Sequence, residues 1–230
     1  MKTIGLLGGM SWESTEMYYR IINEYVRTKL GGLHSAKICL YSINFQEIEE
    51  SLRLNDWKAI TENLSNVAKN IESGGADFLL ICTNTMHKVA SEIENNINIP
   101  VLHIVDATAE KVIEQGIDTI GLIGTKPTME AEFYKGRLTD NFNLKVVVPD
   151  ANDRQIVHDV IFDELCLGKI KASSRKQFLR IIEQLSEQGA KAVILGCTEI
   201  ASLVQKKHTA VLLFDTTRIH AEKAAEMALS

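Results

Sequence analysis

Two short segments carry residue types that move protons: Cys82-Thr83-Asn84-Thr85 and Gly196-Cys197-Thr198-Glu199. A thiol ionises near pH 8.5, and at a helix start its pKa falls, so thiolate becomes available near neutrality. Backbone N–H groups at such a start also bind a carboxylate without help from arginine. Set on opposite sides of one ligand, two acid–base groups can remove a proton from a carbon and return one to its other face. That exchange inverts the centre. Cys197, followed by Thr198 and Glu199, meets the thiolate description, and Thr83 supplies a hydroxyl.

Other chemistries find less support. Gly5-Leu6-Leu7-Gly8-Gly9 is spaced GxxGG rather than GxGxxG, with no acidic residue at a following strand end, so a dinucleotide site is not indicated. No P-loop is present, and no lysine stands at a strand end beside a phosphate loop to anchor pyridoxal phosphate. The four cysteines, 39, 82, 166 and 197, form no CxxC pair, which argues against a disulfide framework or a zinc site. His34, His103, His158, His208 and His220 show no ligand spacing, and no metal is expected. Cys39 and Cys166 read as core residues, His87 as a residue that supports the site from behind or simply packs rather than as a base, and Met10 equally as pocket wall or core.

The bulk numbers set the partners. A net charge of -5 without runs of like charge argues against nucleic acid or an anionic membrane. The N-terminal apolar run is too short for a signal peptide, and no stretch approaches the roughly 18 apolar residues of a membrane span. A soluble, cytoplasmic protein acting on a small molecule is the expectation.

The elements that must position these segments alternate along the whole chain. Strands are expected at Thr3–Leu7, Ile38–Ile43, Asp77–Ile81 and Pro100–Val105, then at Thr119–Ile123, Leu144–Val148, Ala192–Leu195 and Ala210–Phe214. Between them, sets such as Ile60, Leu64, Val67 and Ile71, or Phe178, Ile181, Ile182 and Leu185, fall on one helix face. Glycines at 31–32, 74–75, 116, 168 and 189 stand where those helices should stop. This is an α/β chain with largely parallel sheets, in which ligands bind beyond the carboxyl ends of the strands.

The chain also repeats itself. Thr3-Ile4-Gly5-Leu6-Leu7-Gly8-Gly9 matches Thr119-Ile120-Gly121-Leu122-Ile123-Gly124-Thr125 at an offset of 116, and Gly75-Ala76 matches Gly189-Ala190 at 114. Asp106-Ala107-Thr108 matches Asp215-Thr216-Thr217 at 109. Two similar doubly wound domains with four-stranded sheets follow, at 1–115 and 116–230, with the last helix, 216–229, free to pack on either. Carrying Gly75 onto Gly189 places Thr83, not Cys82, in register with Cys197. The duplication thus sets positions 83 and 197 on the two sides of an expected cleft.

The segments Ile4-Gly5-Leu6-Leu7-Gly8-Gly9-Met10-Ser11-Trp12-Glu13-Ser14-Thr15, Cys82-Thr83-Asn84-Thr85-Met86-His87 and Gly196-Cys197-Thr198-Glu199-Ile200 resemble the aspartate/glutamate/hydantoin racemase superfamily. Within it they are most similar to bacterial amino-acid racemases of broad or L-aspartate/glutamate specificity. The resemblance runs through essentially the whole chain and implies two α/β domains, no cofactor, a site between the domains and a homodimer. Most relatives carry cysteine directly before the Asn-Thr element, where this chain has Thr83. The arginine and lysine that aspartate-specific relatives tend to use also lack counterparts in Asn44-Phe45-Gln46-Glu47 and Leu165-Cys166-Leu167.

The resulting expectation is a racemase independent of pyridoxal phosphate, acting on glutamate, aspartate or a wider range of amino acids by two-base proton transfer. Thr83 and Cys197 are its catalytic pair, and Met10, Thr83, Asn84, Thr85, Cys197, Thr198 and Glu199 bind substrate, with Glu199 as ammonium partner. Three alternatives use the same residues: a one-thiol isomerase or decarboxylase of small dicarboxylic acids, a non-catalytic amino-acid binding protein, and a redox switch joining Cys82 to Cys197.

Overall fold

The computed structural model describes residues 1–230. Its elements are β1 (Thr3–Gly8), α1 (Trp12–Leu30), β2 (Lys37–Ser42), α2 (Phe45–Arg53), α3 (Trp57–Ser73), β3 (Phe78–Ile81), α4 (Ala90–Glu94) and α5 (Ile104–Glu114). There follow β4 (Thr119–Gly124), α6 (Lys126–Glu130), α7 (Glu132–Phe142), β5 (Lys145–Val147), α8 (Ala151–Asp163), α9 (Ala172–Glu187), β6 (Ala192–Gly196), α10 (Ile200–Leu203), β7 (Leu212–Asp215) and α11 (Thr216–Leu229). Two units result: residues 1–104 with 220–230, and residues 105–219. The division therefore falls one helix earlier than the repeat suggests, because α5 packs with the second unit, and α11 from His220 onward packs with the first.

In the first unit the parallel strands lie in the order β2-β1-β3. Successive strand residues face opposite sides. Ile4, Leu6, Phe78, Leu80 and Cys82 meet Tyr18, Ile22 and Val26 of α1 and Ala221, Ala224 and Ala225 of α11. Leu7, Leu79 and Ile81 meet Ile60, Leu64 and Ile71 of α3 on the other face, where Met10 and Met86 also pack. Each fully buried Leu or Ile contributes about 1.5–3 kcal/mol. Caps define the helix starts: Ser14 N–H donates to Ser11 Oγ (3.4 Å) at α1, and Ala59 N–H to Asp56 Oδ1 (3.0 Å) at α3.

A fourth strand does not form here. The segment Pro100–Val105 makes a single parallel bridge, Leu79 to Val101, with Leu79 N–H donating to Pro100 O and Leu102 N–H to Leu79 O (both 2.9 Å). Proline has no N–H to extend the ladder, and α5 already begins at Ile104. The first sheet is thus three-stranded.

The second unit holds the four-stranded parallel order β5-β4-β6-β7. Ile123, Val193, Leu195 and Leu213 pack on Val157 and Ile161 of α8 and on Phe178, Ile181, Ile182 and Leu185 of α9. The repeat is visible in packing as well as in sequence. A Cβ on Gly5 would lie 2.6 Å from Ile71 Cγ2 of α3, and one on its counterpart Gly121 would lie 3.2 Å from Leu185 Cδ1 of α9.

One buried polar group in the first unit makes stability depend on pH. Tyr18 Oη and His220 Nδ1 are 2.8 Å apart, and Nε2 lies 2.8 Å from Leu102 O. A carbonyl only accepts, so Nε2 carries the proton and Nδ1 accepts from the tyrosine. Burial lowers the pKa of His220 from 6.5 to about 4. The unfolded chain therefore binds the extra proton first as pH falls, so this contribution is complete above pH 6.5 and is lost toward pH 4. It amounts to roughly 3 kcal/mol at about 1.4 kcal/mol per pKa unit. In urea unfolding, His220→Gln is expected to be weaker than wild type at pH 7, with the difference narrowing by most of that amount at pH 4.5.

Candidate active site

Each unit presents chemistry at the carboxyl end of a central strand. In the first, β1 runs into Gly8-Gly9-Met10-Ser11, and β3 into Cys82-Thr83-Asn84-Thr85. Cys82 N–H donates to Leu7 O (2.9 Å), and Ser14 Oγ donates to Cys82 O (3.3 Å), which fastens one strand end to the other. Thr15 Oγ1 accepts from Gly9 N–H (2.7 Å) and donates to Ser11 O (2.9 Å). Gly9 adopts φ +94°, and a Cβ there would meet Ile43 O at 2.3 Å, so the turn requires glycine.

Thr83 is half-buried, while Asn84 is buried and Thr85 half-buried. The turn after them, Thr85–Val89, is a 3-10 helix with no side-chain cap. His87, in that turn, lies with Nδ1 2.8 Å from Thr83 O, while Ile104 N–H donates to its Nε2 (3.2 Å). Nε2 thus accepts, Nδ1 donates, and the ring is neutral. This ring holds the backbone of Thr83.

Cys82 is fully buried among Tyr18, Leu80 and the alanines of α11, and burial pushes its thiol pKa up. Its side chain faces the core, which removes it both as a proton relay and as a redox partner for Cys197. Met10 is likewise packed in the core with Ile48, Ile60 and Met86.

In the second unit β6 delivers Gly196-Cys197-Thr198-Glu199, all buried. Cys197 Sγ donates to Glu199 Oε2 at 2.9 Å, and Thr198 Oγ1 donates to the same oxygen at 2.6 Å. Three elements fix this turn. Thr216 Oγ1 at the start of α11 donates to Leu195 O (2.9 Å). Arg175 Nε of α9 donates to Leu203 O (2.7 Å) at the end of α10. A Cβ on Gly124 would meet Gly196 O at 2.7 Å, so the ends of β4 and β6 approach more closely than any side chain permits.

The electrostatics reverse one expectation. Cys197 is raised well above its ordinary value, first by burial, then by the Glu199 carboxylate and by the neighbouring Cys166. A helix start is expected to lower it, yet α10 has only four residues, too little aligned backbone to oppose desolvation. Cys197 therefore rests as a thiol. Cys166, in the 3-10 turn Leu165–Leu167, packs against the same core as Cys197, a neighbour that 30 intervening residues conceal. No group of His, Cys, Asp and Glu side chains is arranged to hold a metal, and no helix is long and apolar enough to cross a membrane.

The chain matches known proteins over nearly its whole length. The Asp/Glu/Hydantoin racemase family model matches residues 7–224. The broad specificity amino-acid racemase RacX of Bacillus subtilis is 23% identical over 222 residues, covering 93% of this chain and 92% of RacX. A solved Yersinia pestis chain described as an Asp/Glu racemase is 52% identical with TM-score 0.94, and an aspartate racemase homologue from Pyrococcus horikoshii OT3 is 34% identical with TM-score 0.87. Both cover 100% of this chain and of their own. From Leu7 to Ala224, then, the chain belongs to the Asp/Glu/hydantoin racemase family.

Proposed function

We propose that the protein racemises an amino acid by cofactor-independent proton transfer at Cα, with Cys197 and Thr83 acting on opposite faces. The observation that carries this reading is the thiol of Cys197 donating to the Glu199 carboxylate at 2.9 Å. A resting thiol is no base, so it must first surrender its proton, and Glu199 is the acceptor in place. Glu199 was expected as ammonium partner. Because its Oε2 already accepts from Cys197 and Thr198, it is assigned the relay instead.

The cycle closes in protons. Cys197 passes its proton to Glu199, and the thiolate takes the Cα proton to leave a carbanion. Thr83 delivers a proton to the other face. Solvent then restores the Thr83 hydroxyl while Glu199 releases its proton, returning every group to its starting state. Asn84, Thr85 and Thr198 bind the substrate's carboxylate and ammonium. Aspartate and glutamate are the first substrates to try, since RacX is a broad-specificity enzyme and the Pyrococcus chain an aspartate racemase homologue.

A hydroxyl is a far weaker acid than a thiol, so the two faces differ in rate although the equilibrium is untouched. L- and D-glutamate, and L- and D-aspartate, incubated separately in D2O, report loss of the Cα proton by NMR. Exchange is expected to be faster from one enantiomer. Equal exchange from both would remove the asymmetric pair, and none from any amino acid would remove the racemase reading. With Cys82 buried, the site has one usable thiol, which also suits an isomerase or decarboxylase of dicarboxylic acids; turnover of maleate or a substituted malonate without amino-acid exchange would select that reading.

A further inference from the structure

The second unit holds a cavity of about 440 Å³ at the β7 edge of its sheet, between the ends of β6 and β7 and the chain that leaves α10. Its lining divides in two. Leu195, Val204 and Leu213 give it an apolar floor continuous with the core of the unit, and Lys206, Lys207 and Arg218 stand at its rim as exposed cations. A concavity of a few hundred Å³ with an apolar floor and a few convergent polar groups is the form that small-molecule sites take. None of Cys197, Thr198 and Glu199 lines it, so it lies outside the turn that carries the thiol.

The charge of that rim runs against the charge of the chain. The protein carries -5 overall, yet the cavity gathers three cations and one carboxylate, Asp215. That carboxylate is turned to the backbone, where its Oδ1 accepts from Thr217 N–H (3.0 Å) and Arg218 N–H (3.2 Å) at the start of α11. Neither Lys206 nor Lys207 takes part in a salt bridge. The positive field reaches their neighbour. His208, which closes the 3-10 turn Lys206–His208, is held below its ordinary pKa first by partial burial and then by Arg175 and Lys207, with no carboxylate among the causes.

We propose that this cavity binds a small organic phosphate monoester, its apolar body on Leu195, Val204 and Leu213 and its phosphate among Lys206, Lys207 and Arg218. A phosphate monoester carries about -1.5 to -2 charge at pH 7, which suits three cations better than the single charge of a carboxylate does. Lysine meets phosphate as a point charge and arginine as a two-pronged donor. The floor selects an organic ester over the free ion, because burying the apolar body adds to the ion pairing. Leu195 and Ala201, which flank the Gly196–Glu199 turn in sequence, both line the cavity, so the ester rests against the support of that turn.

Calorimetry on the full chain tests this without any measurement of turnover, so absence of Cα exchange bears on the racemase reading and not on this one. Phenyl phosphate is the probe, with inorganic phosphate and benzoate for comparison. It is expected to bind about tenfold or more tightly than either, since inorganic phosphate lacks the apolar body and benzoate the second charge. Lys206→Ala with Lys207→Ala should raise its dissociation constant by about tenfold or more, the loss of two charged partners, and saturating glutamate should leave that constant unchanged. No binding of phenyl phosphate, equal binding of either comparison anion, an unchanged constant in the folded double variant, or displacement by glutamate overturns the proposal. If circular dichroism shows the double variant unfolded, Arg218→Gln decides: weaker binding of phenyl phosphate supports the site, and unchanged binding overturns it.

Discussion

Cys197→Ser is expected to keep amino-acid binding and to lose Cα-proton exchange by about 10²–10⁴-fold in kcat, the share of a positioned acid–base group. The substitution keeps the shape of a buried turn in which Glu199 still accepts from Thr198, so the fold should persist. What disappears is a group that can ionise within the reach of a carboxylate. Exchange followed by NMR in D2O gives the rate, and calorimetry with glutamate or aspartate gives the binding. Activity within about tenfold of wild type would remove Cys197 as the base.

Glu199→Gln separates a proton relay from a structural bond. The amide can still meet the thiol of Cys197 and the hydroxyl of Thr198, but it cannot take a proton. Exchange should fall by about a hundredfold in kcat with little change in KM. At the same time the Cys197 pKa should come down, because the carboxylate is the second cause, after burial, that holds it up. Thiolate absorbance or alkylation rate against pH measures that shift. A slower enzyme with a more acidic thiol is a combination that loss of packing alone does not produce. If exchange at neutral pH stays level or rises, Glu199 is not the acceptor.

Much of this was legible in the sequence because local and global signals agreed. The β-branched run Thr119–Gly124 repeats Thr3–Gly8 and forms the matching strand in the second sheet. The register that pairs Thr83 with Cys197 rests on the same repeat, and Cys82 lies buried in the core of the first unit. Pro100–Val105 misled because an apolar run after proline reads as a strand, whereas only Val101 bridges and the helix starts at once. The thiol pKa of Cys197 was not legible. Sequence shows a turn before a helix, but not the desolvation, nor that the Glu199 side chain folds back two residues to meet the sulfur. Cys166 was hidden for a similar reason, since it acts through a contact that only the assembled unit creates.

The resting Cys197–Glu199 pair has a chemical corollary. Protonated thiols react slowly with electrophiles and peroxides, whereas thiolates react fast. On the proposed mechanism Cys197, buried and protonated at rest, is expected to react slowly with haloacetamides and cellular oxidants. A covalent probe of that sulfur is therefore expected to label it faster as pH rises toward the raised thiol pKa.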